Sequence, residues 1–167
     1  MKIIKNVTGD EVWNHWKAVE NFQSDDFRSD IRNPLPSDTE WYLAMIEPAD
    51  VQNLHIISSG DWKEISEGTF LVEKVVKNLD NNSTDENTIR ISKDIKSKVD
   101  FLESGENLDT RLVLVSNNTE NPFTIIEGNR RSVAFLLLGQ LVGKEVYLGM
   151  SNSMNSYVWA KHSYEKI

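Results

Sequence analysis

The chain has 167 residues, a formal net charge of −8 and no cysteine. Its length suits one domain with a substantial core, and its acidic balance opposes non-specific binding to DNA or to anionic membranes. The lack of thiols excludes disulfides, thiol catalysis and thiolate metal sites. No apolar stretch has the length of a membrane span or of a signal-peptide core, so we expect a cytoplasmic protein.

Residues 1–39 are predicted to form an N-terminal helical segment, which precedes a main domain at 40–167 within one compact unit. A helix is expected over "TGDEVWNHWKAVENF", because Thr8 suits the N-cap position and Glu11 stands three residues later. The polar stretch that follows contains two prolines and predicts a loop with a short helical turn.

From residue 40 onward, predicted strands and helices are interspersed. A proline at the start of "PADVQNL" suits the first turn of a helix, and apolar residues at helical spacing mark three longer helices. Strands are expected at 40–46, 110–116, 123–127 and 144–150, and helices at 48–54, 68–79, 88–105, 130–140 and 155–164. A hairpin of the middle two strands and a small mixed sheet with packed helices give an α+β fold class.

One motif, "IIEGNRRSVAF", places two arginines where a helix is predicted to begin. The positive end of the helix dipole disfavours cations there, at a cost of about 0.3–1 kcal/mol. A bound anion would reverse that cost, because the free backbone N–H groups at a helix start bind anions and arginine suits phosphate or carboxylate. Gly128 has no Cβ to block a ligand. Alternatively, Arg130 or Arg131 pairs with Glu127 or another carboxylate, and the residues alone leave both interpretations open.

The motif and its surroundings resemble the signature of the ParB/sulfiredoxin-like superfamily, in which a hydrophobic strand, an acidic residue, glycine and arginine open a buried helix. The stretch "WYLAMIEPADVQNL" resembles the opening strand and helix of that family, and the resemblance covers residues 40–162. It implies a nucleotide site for ATP or CTP with Mg²⁺. Gly128 would give backbone access, and Arg130 and Arg131 would hold the phosphates. Asn129 and Ser132 would add hydrogen bonds. Glu127 would be a catalytic carboxylate or would steer a metal-bound nucleotide.

The chain also departs from the family. Without cysteine the sulfiredoxin reaction is excluded, and we expect no helix-turn-helix domain after the last strand, so a DNA clamp is disfavoured. A second catalytic carboxylate is not evident: Glu47 and Asp50 are candidates, with surface solvation as the alternative.

Further candidates lie outside the motif. Trp159 and His162 stand three residues apart and would be neighbours on a helix. Trp159 could stack on a base while His162 contacts a phosphate or a substrate. Alternatively, Trp159 packs in the core and His162 lies at the surface. The basic residues of the helix at 88–105 are interleaved with aspartates and predict a solvated face, with a nucleic-acid patch as the alternative; they are Arg90, Lys93, Lys96 and Lys98. The other tryptophans are expected to be core or interface anchors, at positions 13, 16, 41 and 62.

Three functions are consistent with these observations. The first is binding of a nucleotide or another phosphorylated small molecule, with possible hydrolysis or phosphoryl transfer. The second is a non-catalytic protein-interaction module of a mobile element or defence system. The third is a metal-dependent nuclease, which needs carboxylates that converge on a metal.

Overall fold

The structure is a computed structural model that describes residues 1–79, 82–106, 111–120 and 122–165. Within these ranges one six-stranded sheet has the order β1-β2-β6-β4-β5-β3. The strands are β1 (Lys2–Val7), β2 (Glu40–Met45), β3 (Leu54–Ile56), β4 (Leu112–Ser116), β5 (Phe123–Glu127) and β6 (Glu145–Met150). The pairs β3–β5 and β4–β6 are parallel, whereas the other neighbours are antiparallel.

The described residues also form six α-helices and three short 3₁₀ helices. The α-helices are α1 (Gly9–Val19), α2 (Ser29–Arg32), α3 (Val72–Asn78), α4 (Glu86–Glu103), α5 (Asn129–Leu137) and α6 (Lys161–Tyr164). The 3₁₀ helices span Pro48–Asn53, Gly60–Trp62 and Met154–Ser156. Among the described residues, no helix combines the length and apolarity that crossing a membrane requires. The α+β class is therefore confirmed, while the ParB-like fold stays a prediction.

Local side-chain chemistry explains where the best-predicted helices begin and end. The Thr8 hydroxyl accepts a hydrogen bond from the backbone N–H of Glu11 at 3.1 Å, which caps α1 as predicted. Asp85 caps α4 in the same way, through the N–H of Thr88. Gly105 follows α4 with φ of +86°, so the predicted glycine stop is confirmed.

Two strands, β1 and β3, were absent from the sequence prediction. β1 has an exposed, lysine-bearing surface and a bulge, so it lacks the alternation that marks a half-buried strand. It joins the sheet by pairing with β2, and residues 1–39 are therefore not wholly helical. β3 has only three residues and directly follows Pro48–Asn53. The boundary between residues 39 and 40 remains a prediction, and so does the conformation expected for 80–81 and 110, which lie outside the described residues.

The core contains both faces of the central sheet, because every residue of β4 and β5 is buried. Three tryptophans predicted to be anchors are buried, namely Trp13, Trp16 and Trp62. Trp41 is half-buried, and its ring occupies the space beside Gly149, where an added Cβ would lie 2.9 Å from ring carbons. These contacts hold the sheet and the N-terminal helix in one core cluster.

Candidate functional site

The predicted motif forms a strand, a one-residue turn and a helix. β5 ends at Glu127, Gly128 has φ of +89°, and α5 begins at Asn129. A Cβ on Gly128 would lie 2.4 Å from Cδ2 of Leu112 and 3.1 Å from a guanidinium nitrogen of Arg131. Glycine is therefore required here by its backbone conformation and by the protein's own packing, in addition to the ligand access that the sequence suggested.

Glu127 and Arg131 form a buried ion pair across this turn. A terminal guanidinium nitrogen of Arg131 donates to both carboxylate oxygens of Glu127, at 2.5 and 2.6 Å. The two side chains are each 8% exposed. Burial raises the pKa of Glu127, while the charge of Arg131 acts in the opposite direction. Both oxygens of the predicted catalytic carboxylate are thus engaged by the arginine one helical turn later.

Arg130 has a different environment from its neighbour. Its Nε lies 3.3 Å from a carboxylate oxygen of Asp94 on α4, and both side chains are partly exposed. This nitrogen is buried yet makes no hydrogen bond to any described residue. One arginine of the motif is therefore built into the core and the other lies at the surface of the site.

The remaining two motif residues serve the local structure. The side-chain oxygen of Asn129 accepts a hydrogen bond from the backbone N–H of Ile57 at 3.0 Å, which ties the start of α5 to the segment after β3. The buried hydroxyl of Ser132 donates to the carbonyl of Asn129 at 2.7 Å. The N-cap residue of α5 is Gly128, which has no side chain with which to cap the free N–H groups of this helix start.

A cavity of about 440 Å³ lies at this helix start. Motif residues 127–131 line it together with side chains from the N-terminal segment, from α4 and from the C-terminal segment. Its charged residues are four cations and four carboxylates: Arg28, Lys98, Arg130, Arg131, Glu20, Asp30, Asp61 and Glu127. Its apolar surface includes three tryptophans, Trp16, Trp62 and Trp159. The structure thus brings residues distant in sequence to the predicted motif.

The two C-terminal candidates, Trp159 and His162, lie in different environments. Trp159 lines the cavity, and its indole N–H donates to the carbonyl of Asp30 at 2.8 Å. His162 does not line it; its ring stacks on Phe70 at 4.3 Å between centroids, and its Nδ1 lies 2.5 Å from the carboxylate of Glu165. Only the tryptophan of this pair is therefore positioned to meet a ligand in the cavity.

Glu47 and Asp50 lie at the other end of the sheet. They precede β3, which runs parallel to β5, so they are near the start of these strands while Glu127 is at the end. Asp50 is buried and accepts hydrogen bonds from the backbone N–H of Glu47 and from the Met1 amine. The expected surface solvation is wrong for Asp50, because this carboxylate caps the 3₁₀ helix.

Sequence reasoning missed Arg28 and misassigned Lys98. Three of the four basic residues of α4 are exposed as expected, but Lys98 is half-buried and lines the cavity. Arg28 lies in the stretch predicted to be a polar loop. Neither residue has a local sequence signal, because tertiary packing alone brings it to the motif.

Comparison with known proteins gave no match to any family model, curated protein or solved structure. The relation to the ParB/sulfiredoxin-like superfamily therefore stays a prediction from the motif and its surroundings. Within the described ranges, no three His, Cys, Asp or Glu side chains form a group that could hold a metal ion.

Proposed function

We propose that this protein binds a nucleotide or another phosphorylated small molecule in the cavity beside Gly128. The observation that carries the proposal is the cavity itself, which opens where α5 begins without a side-chain cap. The first backbone N–H groups of a helix attract phosphate through their partial positive charge. The motif's resemblance to a nucleotide-binding family supports the same ligand class.

In this proposal the two arginines have separate roles. Arg130 contacts the ligand, since its side chain is accessible and its partner Asp94 is a partly exposed carboxylate. Arg131 positions the turn through its buried pair with Glu127. A phosphate that neutralised Arg130 would gain the strength of a charge-assisted, two-pronged hydrogen bond.

Mg²⁺ would be held chiefly by the phosphates and by water. Magnesium in nucleotide sites commonly uses one or two carboxylates and keeps several waters. The resemblance implied Glu127 as the acidic residue of the site, but both of its carboxylate oxygens accept hydrogen bonds from Arg131. Hydrolysis stays a prediction, which release of inorganic phosphate from ATP or CTP tests. Phosphoryl transfer also stays a prediction, and formation of ADP or CDP without free phosphate tests it.

Calorimetric titration with ATP and CTP, each with Mg²⁺, tests the proposed binding. We expect saturable binding by the wild-type protein and a loss of affinity of about 10- to 100-fold in Arg130→Ala, since loss of a charged hydrogen bond costs about 1.5–3 kcal/mol. The matched control is Lys93→Ala, which removes one exposed positive charge from α4 outside this cavity. No wild-type binding at millimolar nucleotide would overturn the proposal.

A non-catalytic interaction module is the second candidate. It is favoured by the internal pairing of both motif arginines, Arg130 with Asp94 and Arg131 with Glu127, which accounts for these cations without a ligand. This candidate predicts that nucleotides leave the melting temperature unchanged. A nucleotide-dependent rise in Tm that Arg130→Ala abolishes, with little change in the ligand-free Tm, would contradict it.

A further inference from the structure

The ion pairs formed by the described residues engage the four cations of the cavity to different degrees. Glu127 is neutralised by Arg131, and Asp61 lies 3.4 Å from Arg90, an arginine outside the cavity. Glu20 lies 4.0 Å from Arg28, so three of the four carboxylates that line the cavity are in ion pairs, and the fourth is Asp30. The remaining cations, Arg28 and Lys98, lie on elements that the motif does not include.

Lys98 is half-buried against the cavity and has no ion pair or hydrogen bond within the part of the chain that the structure describes. The carboxylate one turn earlier on α4 is Asp94, which pairs with Arg130 of α5 instead. A half-buried lysine packs its aliphatic stem against the protein and keeps its ammonium in water, where an anion in the cavity can reach it. Lys98 therefore gives this cavity a cation that the described residues do not engage.

Arg28 also lines the cavity and lies just before α2. Its guanidinium is 4.0 Å from Glu20, the outer limit of an ion pair, and Glu20 also accepts a hydrogen bond from Trp16. The backbone of Arg28 has φ of +51°, a left-handed conformation that is unfavourable for a residue with a side chain. The segment after Arg28 is fixed by hydrogen bonds that Trp159 and Tyr157 donate to the carbonyls of Asp30 and Ile31.

We propose that Arg28 and Lys98 complete, with Arg130, a three-cation site for a ligand that carries two or three linked phosphates. This inference rests on the proposed function and specifies its ligand class. A single phosphate needs one arginine and the helix start, whereas a polyphosphate spreads its charge over several groups. Cations from the N-terminal segment, α4 and α5 meet that requirement together. Arg131 is not a member of this set, because it is buried against Glu127.

Titration of the wild-type protein with orthophosphate, pyrophosphate, tripolyphosphate and ATP tests the ligand class. We expect affinity to rise at least tenfold from orthophosphate to tripolyphosphate. ATP that binds tighter than tripolyphosphate would assign the ligand to nucleotides, and equal affinity would assign it to the phosphate chain alone. Equal affinity for orthophosphate and tripolyphosphate would overturn the three-cation site.

The residue assignment is tested with Arg28→Gln, Lys98→Gln and the matched control Lys93→Gln. Each of the first two should weaken tripolyphosphate binding about tenfold and reduce the dependence of affinity on salt, whereas the control should leave both unchanged. Arg28→Lys should restore part of the affinity. If the wild-type protein binds and both variants bind equally well, this inference fails while the proposed function stands. If the wild-type protein binds none of the four probes, the proposed function fails and this inference with it.

Discussion

Two adjacent arginines of one helix turn show how strongly burial separates identical side chains. Arg131 is 8% exposed and donates to both oxygens of Glu127, whereas Arg130 is 36% exposed and 3.3 Å from Asp94. An exposed pair contributes about 0–1 kcal/mol to stability. A buried pair is different, because removal of one partner leaves an uncompensated charge in the core.

Arg131→Ala should therefore lower the free energy of unfolding by about 3–5 kcal/mol, since it leaves Glu127 buried without its cation. Arg130→Ala should cost less than about 1 kcal/mol. Urea denaturation of the two single variants measures this difference. The double variant Glu127→Leu with Arg131→Met should recover much of the loss, because it removes both charges. Equal stability of the two arginine variants would contradict the buried-pair interpretation.

Substitution of Gly128 separates the cost of a left-handed backbone from the cost of a side-chain clash. Gly128→Ala should lower the free energy of unfolding by about 1–2 kcal/mol because of its left-handed backbone. The clash of the new Cβ with Leu112 should lower it by about 1–3 kcal/mol more. Gly139 is the control, because its φ is +67° but an added Cβ meets nothing within 4 Å. Gly139→Ala should show the backbone cost alone. Thermal or urea unfolding of both variants gives the difference, and equal costs would show that Leu112 moves aside freely.

At the scale of elements, the sequence predicted those with strong local signals. The helix capped by Thr8, the hairpin of β4 and β5 and the helix that ends at Gly105 are confirmed. The edge strands β1 and β3 were missed because one is mostly exposed and the other has three residues. Such strands depend on pairing with a neighbour, and a local pattern does not encode that pairing.

The local part of the candidate site was predictable from the sequence, whereas the part that depends on tertiary packing was not. The turn at Gly128 follows from a buried strand, a glycine and a helix that occur in succession. The partner of Arg131 was left open, because a carboxylate four residues earlier and a bound anion satisfy an arginine equally well in sequence terms. Arg28 and Lys98 could not be found, since only the tertiary fold brings them to the cavity.

At the scale of the whole molecule, the C-terminal segment holds the N-terminal segment against the cavity. The hydroxyl of Tyr157 donates to the carbonyl of Ile31 at 2.7 Å, and this tyrosine is 1% exposed. Burial raises the pKa of Tyr157, so the hydroxyl stays protonated and remains a donor in neutral solution. The position of the segment that contains Arg28 and Ile31 therefore depends on this contact between distant parts of the chain.

Tyr157→Phe should lower the free energy of unfolding by about 1–3 kcal/mol, because it leaves a buried carbonyl without its donor. It should also weaken polyphosphate binding by displacing Arg28, although the arginine itself is unchanged. Denaturation and calorimetry on one preparation measure both effects. Tyr42→Phe is the control, since its hydroxyl donates to the exposed carboxylate of Glu40. Unchanged binding in Tyr157→Phe would show that Arg28 is positioned independently of this contact.

The position of β6 in the sheet has a consequence for synthesis on the ribosome. β6 lies between β2 and β4, yet it is the last strand of the described chain in sequence. Until it emerges, β1–β2 and β4–β5–β3 are separate pieces, each with a hydrophobic edge that has no partner. The two pieces join only when the final strand inserts between them, so the sheet closes late and through contacts between residues far apart in the chain. Nascent chains that stall before residue 145 would expose both edges and be prone to aggregation.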